Sequence, residues 1–226
     1  PELLKQCRSI VVLDHHRQGE EYIENATLSY IESYASSTCE MVTEVIQYID
    51  GLRLKGTEAD CLYGGIVIDS NNFTAKAGVR TFEAAAYLRR SGADVLRVRK
   101  MFRDDVTDYR IKAETISRAE IFKDAFAISV CDPGDSLSPT VVGAQAANEL
   151  LNMNKIKASF VLTEYNNLIY ISARSMDEIN VQIIMEKLGG GGHINVAAAQ
   201  LKEVSVEQAI DILKETLTTM LEKGEI

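Results

Sequence analysis

The sequence has few cysteines, and none is spaced to work with another. Cys7, Cys39, Cys61 and Cys131 stand alone, with no Cys-x-x-Cys among them. That argues against a zinc cluster and against a disulfide scaffold, and reads as reduced, intracellular cysteines filling core space. Long apolar runs are lacking too. None approaches the roughly 18 residues of a membrane span; the stretches around Ile10–Leu13 and Gly64–Ile68 suit buried strands or helix segments. No signal peptide is read at the start, because Pro1 to Arg8 is charged and leads straight into a strand-like run. Positive charge is short: 24 Lys and Arg stand against 33 Asp and Glu, a net charge of −9. Long nucleic acid, which needs several basic contacts to phosphate, is therefore not an expected partner. A small anionic ligand stays open if local donors or metals hold it. What is present is ordinary: 226 residues, 46% hydrophobic and 25% charged, enough for one large domain or two small ones and for a core of normal size.

Along the chain, Ser9 to Leu13 is a β-branched run that ends at Asp14-His15-His16. It reads as a buried parallel strand with polar residues where it leaves the sheet, the place where open α/β sheets bind ligands. Ser37 and Glu40 have capping-box spacing ahead of a helix carrying Met41, Val45, Ile46 and Ile49. Ala59 to Ile68 is apolar and ends at a second polar cluster, Asp69-Ser70-Asn71-Asn72-Phe73. A helix opens at Arg80 and is stopped by Gly92, and Asp94 caps another reaching about Arg103. Asp104 to Glu120 is charged and helix-prone, and reads as a connecting helix between two domains. The second half has a different rhythm. Strands are expected at 125–130, 158–163 and 168–173, the last two joined by a hairpin at Tyr165-Asn166-Asn167. Helices are expected at 140–151, 180–188 and after the Ser205/Gln208 capping box. The fold class is thus α/β, with a parallel-sheet first part and a mixed, largely antiparallel second part.

The chemistry concentrates in two places. Only three histidines exist: His15 and His16 follow the first strand, and His193 follows Gly189-Gly190-Gly191-Gly192. Histidine is the commonest side-chain metal ligand and acid–base group. Carboxylate plus imidazole at Asp14, His15 and His16 suits manganese or a related ion, and Asp69 can add a carboxylate. These are too few for a two-metal centre, so further ligands lie elsewhere in the chain or before Pro1. Arg17 is either a phosphate clamp or a surface arginine. One glycine, or two, suits a helix C-terminus. Four expose successive backbone N–H groups to a ligand, although the P-loop pattern is absent. Ser172, Arg174 and Ser175 end a strand upstream, where they either reach a nucleotide or form a turn.

These residues resemble a known family. Asp14-His15-His16 is similar to the motif that names the DHH phosphoesterases. The glycine run with His193 resembles the signature of their associated C-terminal domain. Asp69-Ser70-Asn71-Asn72-Phe73 is similar to a later aspartate motif. Three strings narrow the resemblance to the GdpP-type cyclic-di-AMP phosphodiesterases: Arg17 with Gly19-Glu20-Glu21, Tyr34 to Glu40, and Gly78 to Ala85. Ser172 to Ser175 points the same way. The resemblance covers a DHH domain over 1–105, a connecting helix over 106–124 and a substrate-binding domain over 125–226.

It implies two-manganese hydrolysis of cyclic di-AMP to linear pApA. His15 and Asp69 match metal ligands and Asp14 a ligand or its neighbour. His16 and Arg17 match phosphate-facing catalytic positions. Arg174, Ser172, Ser175, Gly190, Gly191, Gly192 and His193 match the substrate-binding side. The family's first motif, His-x-x-x-Asp-x-Asp, and its second aspartate motif have no counterpart. The chain is therefore expected to be cut inside the DHH domain and to be inactive alone, or to act only as a nucleotide-binding module. The alternative activity is that of a nanoRNase or pAp phosphatase. Such proteins are membrane-anchored with this part in the cytoplasm. No membrane contact is expected of the chain itself, and a homodimer is compatible with it. Ser70-Asn71 and Ile194-Asn195-Val196 depart from the family's usual residues, which bears on substrate preference.

Overall fold

A computed structural model describes residues 2–18, 22–176 and 178–226; the Gly19-Glu20-Glu21 string lies outside them. The chain divides into two compact units, Pro1–Arg103 and Asp104–Ile226.

In the first unit, β1 (Val11–Asp14) pairs in parallel with β2 (Leu28–Ile31), with Asp14 opposite Ile31. Helix α1 (Thr38–Ile46) starts where the Ser37 hydroxyl accepts from the Glu40 N–H at 3.0 Å. Helix α2 (Gly56–Asp69) follows, then α3 (Val79–Arg90) and α4 (Val95–Met101). The apolar run before Asp69 is therefore helical. Gly92 takes φ +104 after α3, a backbone state open to glycine, and the Asp94 carboxylate accepts from the N–H groups of Leu96 and Arg97 to start α4. The core is small: Ala59, Ile66, Ala84, Leu88 and Ala93 cluster together. Cys39 fills the space above Gly65, where an added Cβ would stand 2.2 Å from its Sγ. Cys131 is likewise buried, in the second unit. Cys7 and Cys61 are exposed instead: Cys7 precedes β1, and Cys61 lies on the outer side of α2.

The second unit opens with α5 (Val106–Ser117), which packs against α6 (Pro139–Leu150) and β4 (Phe126–Cys131). The charged stretch read as one helix stops at Ser117. Residues 120–122 form β3 (Glu120–Phe122), an edge strand antiparallel to β4. The sheet is completed by β5 (Ala158–Tyr165), β6 (Leu168–Ser175), β7 (Gly191–Gly192) and β8 (Val196–Lys202), in the order β3-β4-β5-β6-β8-β7. Only β4 and β5 pair in parallel; the other neighbours are antiparallel, as expected. Asn166 and Asn167, at φ 53 and 58, make the two-residue turn between β5 and β6. Two successive left-handed residues are what the twist of such a hairpin requires, and asparagine tolerates them. Helices α7 (Val181–Lys187) and α8 (Val206–Glu222) cover one face of the sheet, over a core that includes Phe126, Phe160, Ile171, Ile184, Leu213 and Leu217. On the other face α6 covers Ala127, Cys131 and Val161. The Ser205/Gln208 capping box is complete in both directions, at 2.8 and 3.2 Å.

Candidate active site

Each unit carries one cluster of the expected residues. In the first, β1 delivers Asp14, His15 and His16 at its carboxyl end, and α2 delivers Asp69 as its last residue. The Nε2 of His15 lies 3.7 Å from the Asp69 Oδ2. The His15 side chain is 11% exposed against 40% for Asp69, and its Nδ1 is buried without a hydrogen-bond partner among the described residues. Burial, then the neighbouring His16 and Lys76, hold the His15 pKa below its ordinary value, against the pull of Asp69 and Asp14. Burial disfavours the charged ring, so His15 stands neutral near pH 7, the form that binds metal. Asp69 sits at the negative end of the α2 dipole, where a carboxylate is unfavourable. Its placement answers to something other than helix stability.

Asp14 bonds to His16. Its Oδ1 accepts the His16 backbone N–H at 3.0 Å and meets His16 Nδ1 at 2.7 Å. Those two bonds, backbone first, lower its pKa. Asp14 therefore orients His16, while His15 and Asp69 converge. Two atoms bound to one ion at about 2.1 Å each can stand at most about 4.2 Å apart, so the pair fits one metal. Among the described residues no group of three or more His, Cys, Asp or Glu gathers to hold one. Arg17 is exposed.

Several supporting residues are not legible from motif spacing. The Glu40 carboxylate, 1% exposed, accepts from the Ser36 hydroxyl at 2.5 Å and the Thr81 hydroxyl at 2.6 Å. Thr81 in turn accepts the Gly78 N–H at 3.1 Å. Ser36 follows β2, whose extension holds the Asp14 carbonyl through the Glu32 N–H at 2.9 Å. Gly78 ends the loop that begins at Asp69. In that loop Asn71, Asn72 and Phe73 are all left-handed, at φ 46, 58 and 64. Phe73 is unusual there; its ring is held between Tyr63 and Phe82, with centroids 6.0 and 5.4 Å away. The buried Ser70 hydroxyl steadies the same loop, donating to the Ile66 carbonyl and accepting from the Phe73 N–H. The Gly-x-Arg-Thr and Ser-Ser-Thr-Cys-Glu strings thus meet through Glu40 and Thr81.

In the second unit the glycines have separate roles. Gly189, at φ +77, ends α7; its N–H reaches the Glu186 carbonyl at 3.0 Å and that of Gly190 reaches Met185 at 2.8 Å. This double bond pattern is a Schellman cap. A Cβ on Gly190 would stand 2.1 Å from the Ala198 carbonyl oxygen, and one on Gly192 2.5 Å from the Ala197 Cα. Those two are bare because β7 lies tight on β8. Gly191 is different: an added Cβ meets nothing within 4 Å. His193 is exposed in the turn from β7 to β8, its N–H bonded to the Val196 carbonyl at 2.7 Å. Ser175 is buried, its hydroxyl 3.4 Å from the Ile194 carbonyl. Ser172 and Arg174 lie on the opposite side of β6, both half-buried. The Arg174 Nε donates to Asn148 at 2.8 Å and an Nη to the Ala173 carbonyl at 2.9 Å.

Fold and site together define a two-unit α/β protein with a histidine–carboxylate pair at a strand end and a glycine-rich hairpin in its second sheet. The chain belongs to the DHH family: residues 1–66 match the DHH family, N-terminal domain, and residues 124–219 match the DHHA1 domain. It is 46% identical over 210 residues to the cyclic-di-AMP phosphodiesterase PdeA of Listeria monocytogenes, covering 92% of this chain and 32% of that protein. It is 45% identical over 224 residues to the cyclic-di-AMP phosphodiesterase GdpP of Geobacillus thermodenitrificans, covering 98% and 34%. The chain spans about a third of the length of these curated relatives. Its fold is similar to that of an exopolyphosphatase-related protein from Bacteroides fragilis, with a TM-score of 0.81 at 20% identity over 94% of this chain and 64% of that one. Among the described residues no helix is long and apolar enough to cross a membrane.

Proposed function

We propose that the chain carries part of the metal site and the nucleotide-holding unit of a phosphodiesterase that hydrolyses cyclic di-AMP to linear pApA. The observation that carries this reading is the approach of His15 to Asp69, two metal-competent side chains brought together from positions 54 apart in a chain whose relatives bear that activity. His15 and Asp69 would hold a metal, manganese in this reading and one of a pair in the complete site. Bound there, it supplies Lewis-acid charge to the phosphoryl oxygen and activates water. The chain's own residues do the rest. Burial keeps His15 neutral and ready to ligate. Asp14 holds His16 through Nδ1 and so fixes the orientation of a ring that faces phosphate in this reading. Arg17 adds a cation on the same turn. In the second unit, Arg174 and the edge at Gly191 and His193 hold the nucleotide.

The test is a chimera in which this chain replaces the matching segment of the Listeria protein, assayed with manganese on cyclic di-AMP, pApA and pAp. Release of pApA from cyclic di-AMP, abolished by His15→Ala, is the expected result. Cleavage of pAp or pApA alone would assign the chain to oligonucleotide or pAp turnover instead. That is the activity named for a Mycoplasma pneumoniae relative, a bifunctional oligoribonuclease and PAP phosphatase 25% identical over 202 residues.

A further inference from the structure

Two of the four cysteines meet at one helix contact in the first unit. Cys39 is the second residue of α1, and it lies on α2 at Gly65. A Cβ added to Gly65 would stand 2.2 Å from the Cys39 Sγ and 3.1 Å from its Cβ. Cys61 precedes Gly65 by four residues on α2, and Asp69 follows it by four. Residues four apart share a helix face, with Cβ positions about 5–6 Å apart. Cys61, Gly65 and Asp69 therefore form one row, and Cys39 sits over its middle. That places the Cys39 Cβ at most about 9 Å from the Cys61 Cβ. A disulfide needs about 3.5–4.5 Å. Closing the gap asks the first turn of α1 to slide along α2 by no more than about one helical turn, 5.4 Å.

The two thiols differ in access. Cys61 is exposed and Cys39 half-buried. Burial, then the charges of Asp69 and Cys61, hold the Cys39 pKa above its ordinary value. Cys39 is thus a poor nucleophile toward molecules in solution, because the thiolate is the attacking form. Cys61 is the thiol that a small oxidant meets first. Once Cys61 is capped, Cys39 attacks from within the same molecule, where proximity offsets its low thiolate fraction. The contact also lies next to the metal-competent pair. Asp69 is one turn beyond Gly65, and Glu40, the residue after Cys39, holds the Ser36 and Thr81 hydroxyls. Drawing Cys39 toward Cys61 moves it away from Asp69 and pulls on Glu40.

We propose that Cys39 and Cys61 are a reversible dithiol–disulfide pair, oxidised by a small disulfide such as oxidised glutathione, and that the link weakens metal binding at His15 and Asp69. The Cys61 sulfur displaces one half of the small disulfide, and the Cys39 sulfur then displaces the other half from Cys61. Two thiols are released, carrying the two cysteine protons, and the two electrons pass from the cysteines to the small disulfide. The effect on metal rests on the metal reading above; the link itself does not. The dilute chain is treated with oxidised glutathione and mapped by mass spectrometry without reduction, beside Cys39→Ser and Cys61→Ser. Trypsin separates the two thiols, on peptides 18–53 and 56–76. The expected product is those peptides joined, with no glutathione retained, and parted again by dithiothreitol. Cys39→Ser should keep glutathione on Cys61, and Cys61→Ser should leave Cys39 a free thiol. Manganese affinity, read by electron paramagnetic resonance, should fall about tenfold in the oxidised parent, the lower end for loss of a supporting contact. It should recover on reduction and be unmoved by glutathione in Cys39→Ser. Glutathione retained on Cys61 of the parent, with Cys39 free, overturns the pair. A link that leaves manganese affinity unchanged overturns the coupling to Asp69. If the reduced parent binds no manganese, the metal reading falls and the pair is decided by the peptide map alone.

Discussion

The hydroxyl of Thr81 donates to the carboxylate of Glu40 across 41 positions of sequence, at 2.6 Å and out of contact with water. Through Glu40 the first unit ties its two halves together. The strand side carries Asp14 and His15, the loop side runs from Asp69 to Gly78, and the carboxylate grips both by way of Ser36 and Thr81. Glu40→Ala leaves buried hydroxyls without an acceptor, so it should destabilise the first unit by about 1–3 kcal/mol. Thr81→Ser keeps the donor and should cost much less. Urea unfolding of the two variants checks the difference.

The chain should bind manganese weakly and through one position, because two side chains converge there and no third joins them among the described residues. His15→Ala and Asp69→Ala should each lower that affinity by at least about tenfold, the scale on which even outer-shell supports matter. Asp14→Ala should act on turnover in the chimera more than on metal binding, since Asp14 faces His16. Manganese titration followed by electron paramagnetic resonance separates the two effects. Two tightly held ions in the isolated chain would show the ligand set to be larger than His15 and Asp69.

The glycines should part company under substitution. Gly190→Ala and Gly192→Ala drive a methyl into the β8 backbone, and overpacking of that kind costs roughly 1–3 kcal/mol. Gly191→Val finds open space and should fold normally while weakening nucleotide binding. Thermal unfolding and AMP titration of the three variants check the ordering. Normal folding of all three would show β7 to be free to move off β8.

Acid should loosen the first unit through Asp60. Its carboxylate, 5% exposed, takes the Arg97 Nε and the Asp94 N–H, each at 2.6 Å, and the Arg97 bond is the main cause of its lowered pKa. A depressed carboxylate contributes stability that is complete above its unfolded value of 3.8 and is lost as pH falls through the lower folded value. Asp60→Asn should therefore be less stable than the parent at pH 7, and the gap should close as pH falls below 3.8 and through the lower folded value. Chemical unfolding at a series of pH values gives the comparison.

Much of this was legible in the residues, and the exceptions have physical reasons. The strand into Asp14 showed itself because an apolar β-branched run stops at three polar residues. The β5–β6 hairpin showed itself because Asn-Asn suits two left-handed positions. The short β2 did not, since half of it faces solvent and its pattern is brief. β8 was hidden because Ala197 to Ala199 carry little strand preference, and β3 because it follows a charged helix without a turn signal. At the candidate site, His15 and Asp69 could each be named from its motif. The closeness of His15 to Asp69, the turn of Asp14 toward His16 and the grip of Glu40 on Thr81 are products of tertiary packing. The glycine run misled in part: cap geometry and the tight β7–β8 pairing account for Gly189, Gly190 and Gly192, and leave Gly191 open.

The Asn166–Asn167 turn also has a kinetic meaning. It closes an eight-residue ladder with only two residues out of register, so β5 and β6 meet at almost no loop entropy. The parallel pairing of β4 with β5 must wait for the whole α6 crossover to fold back. The hairpin is thus the natural seed of the second sheet, with β8 added from one side and β4 from the other. Asn167→Val would put a β-branched residue where left-handed backbone is required, and it should slow refolding of this unit more than it speeds unfolding.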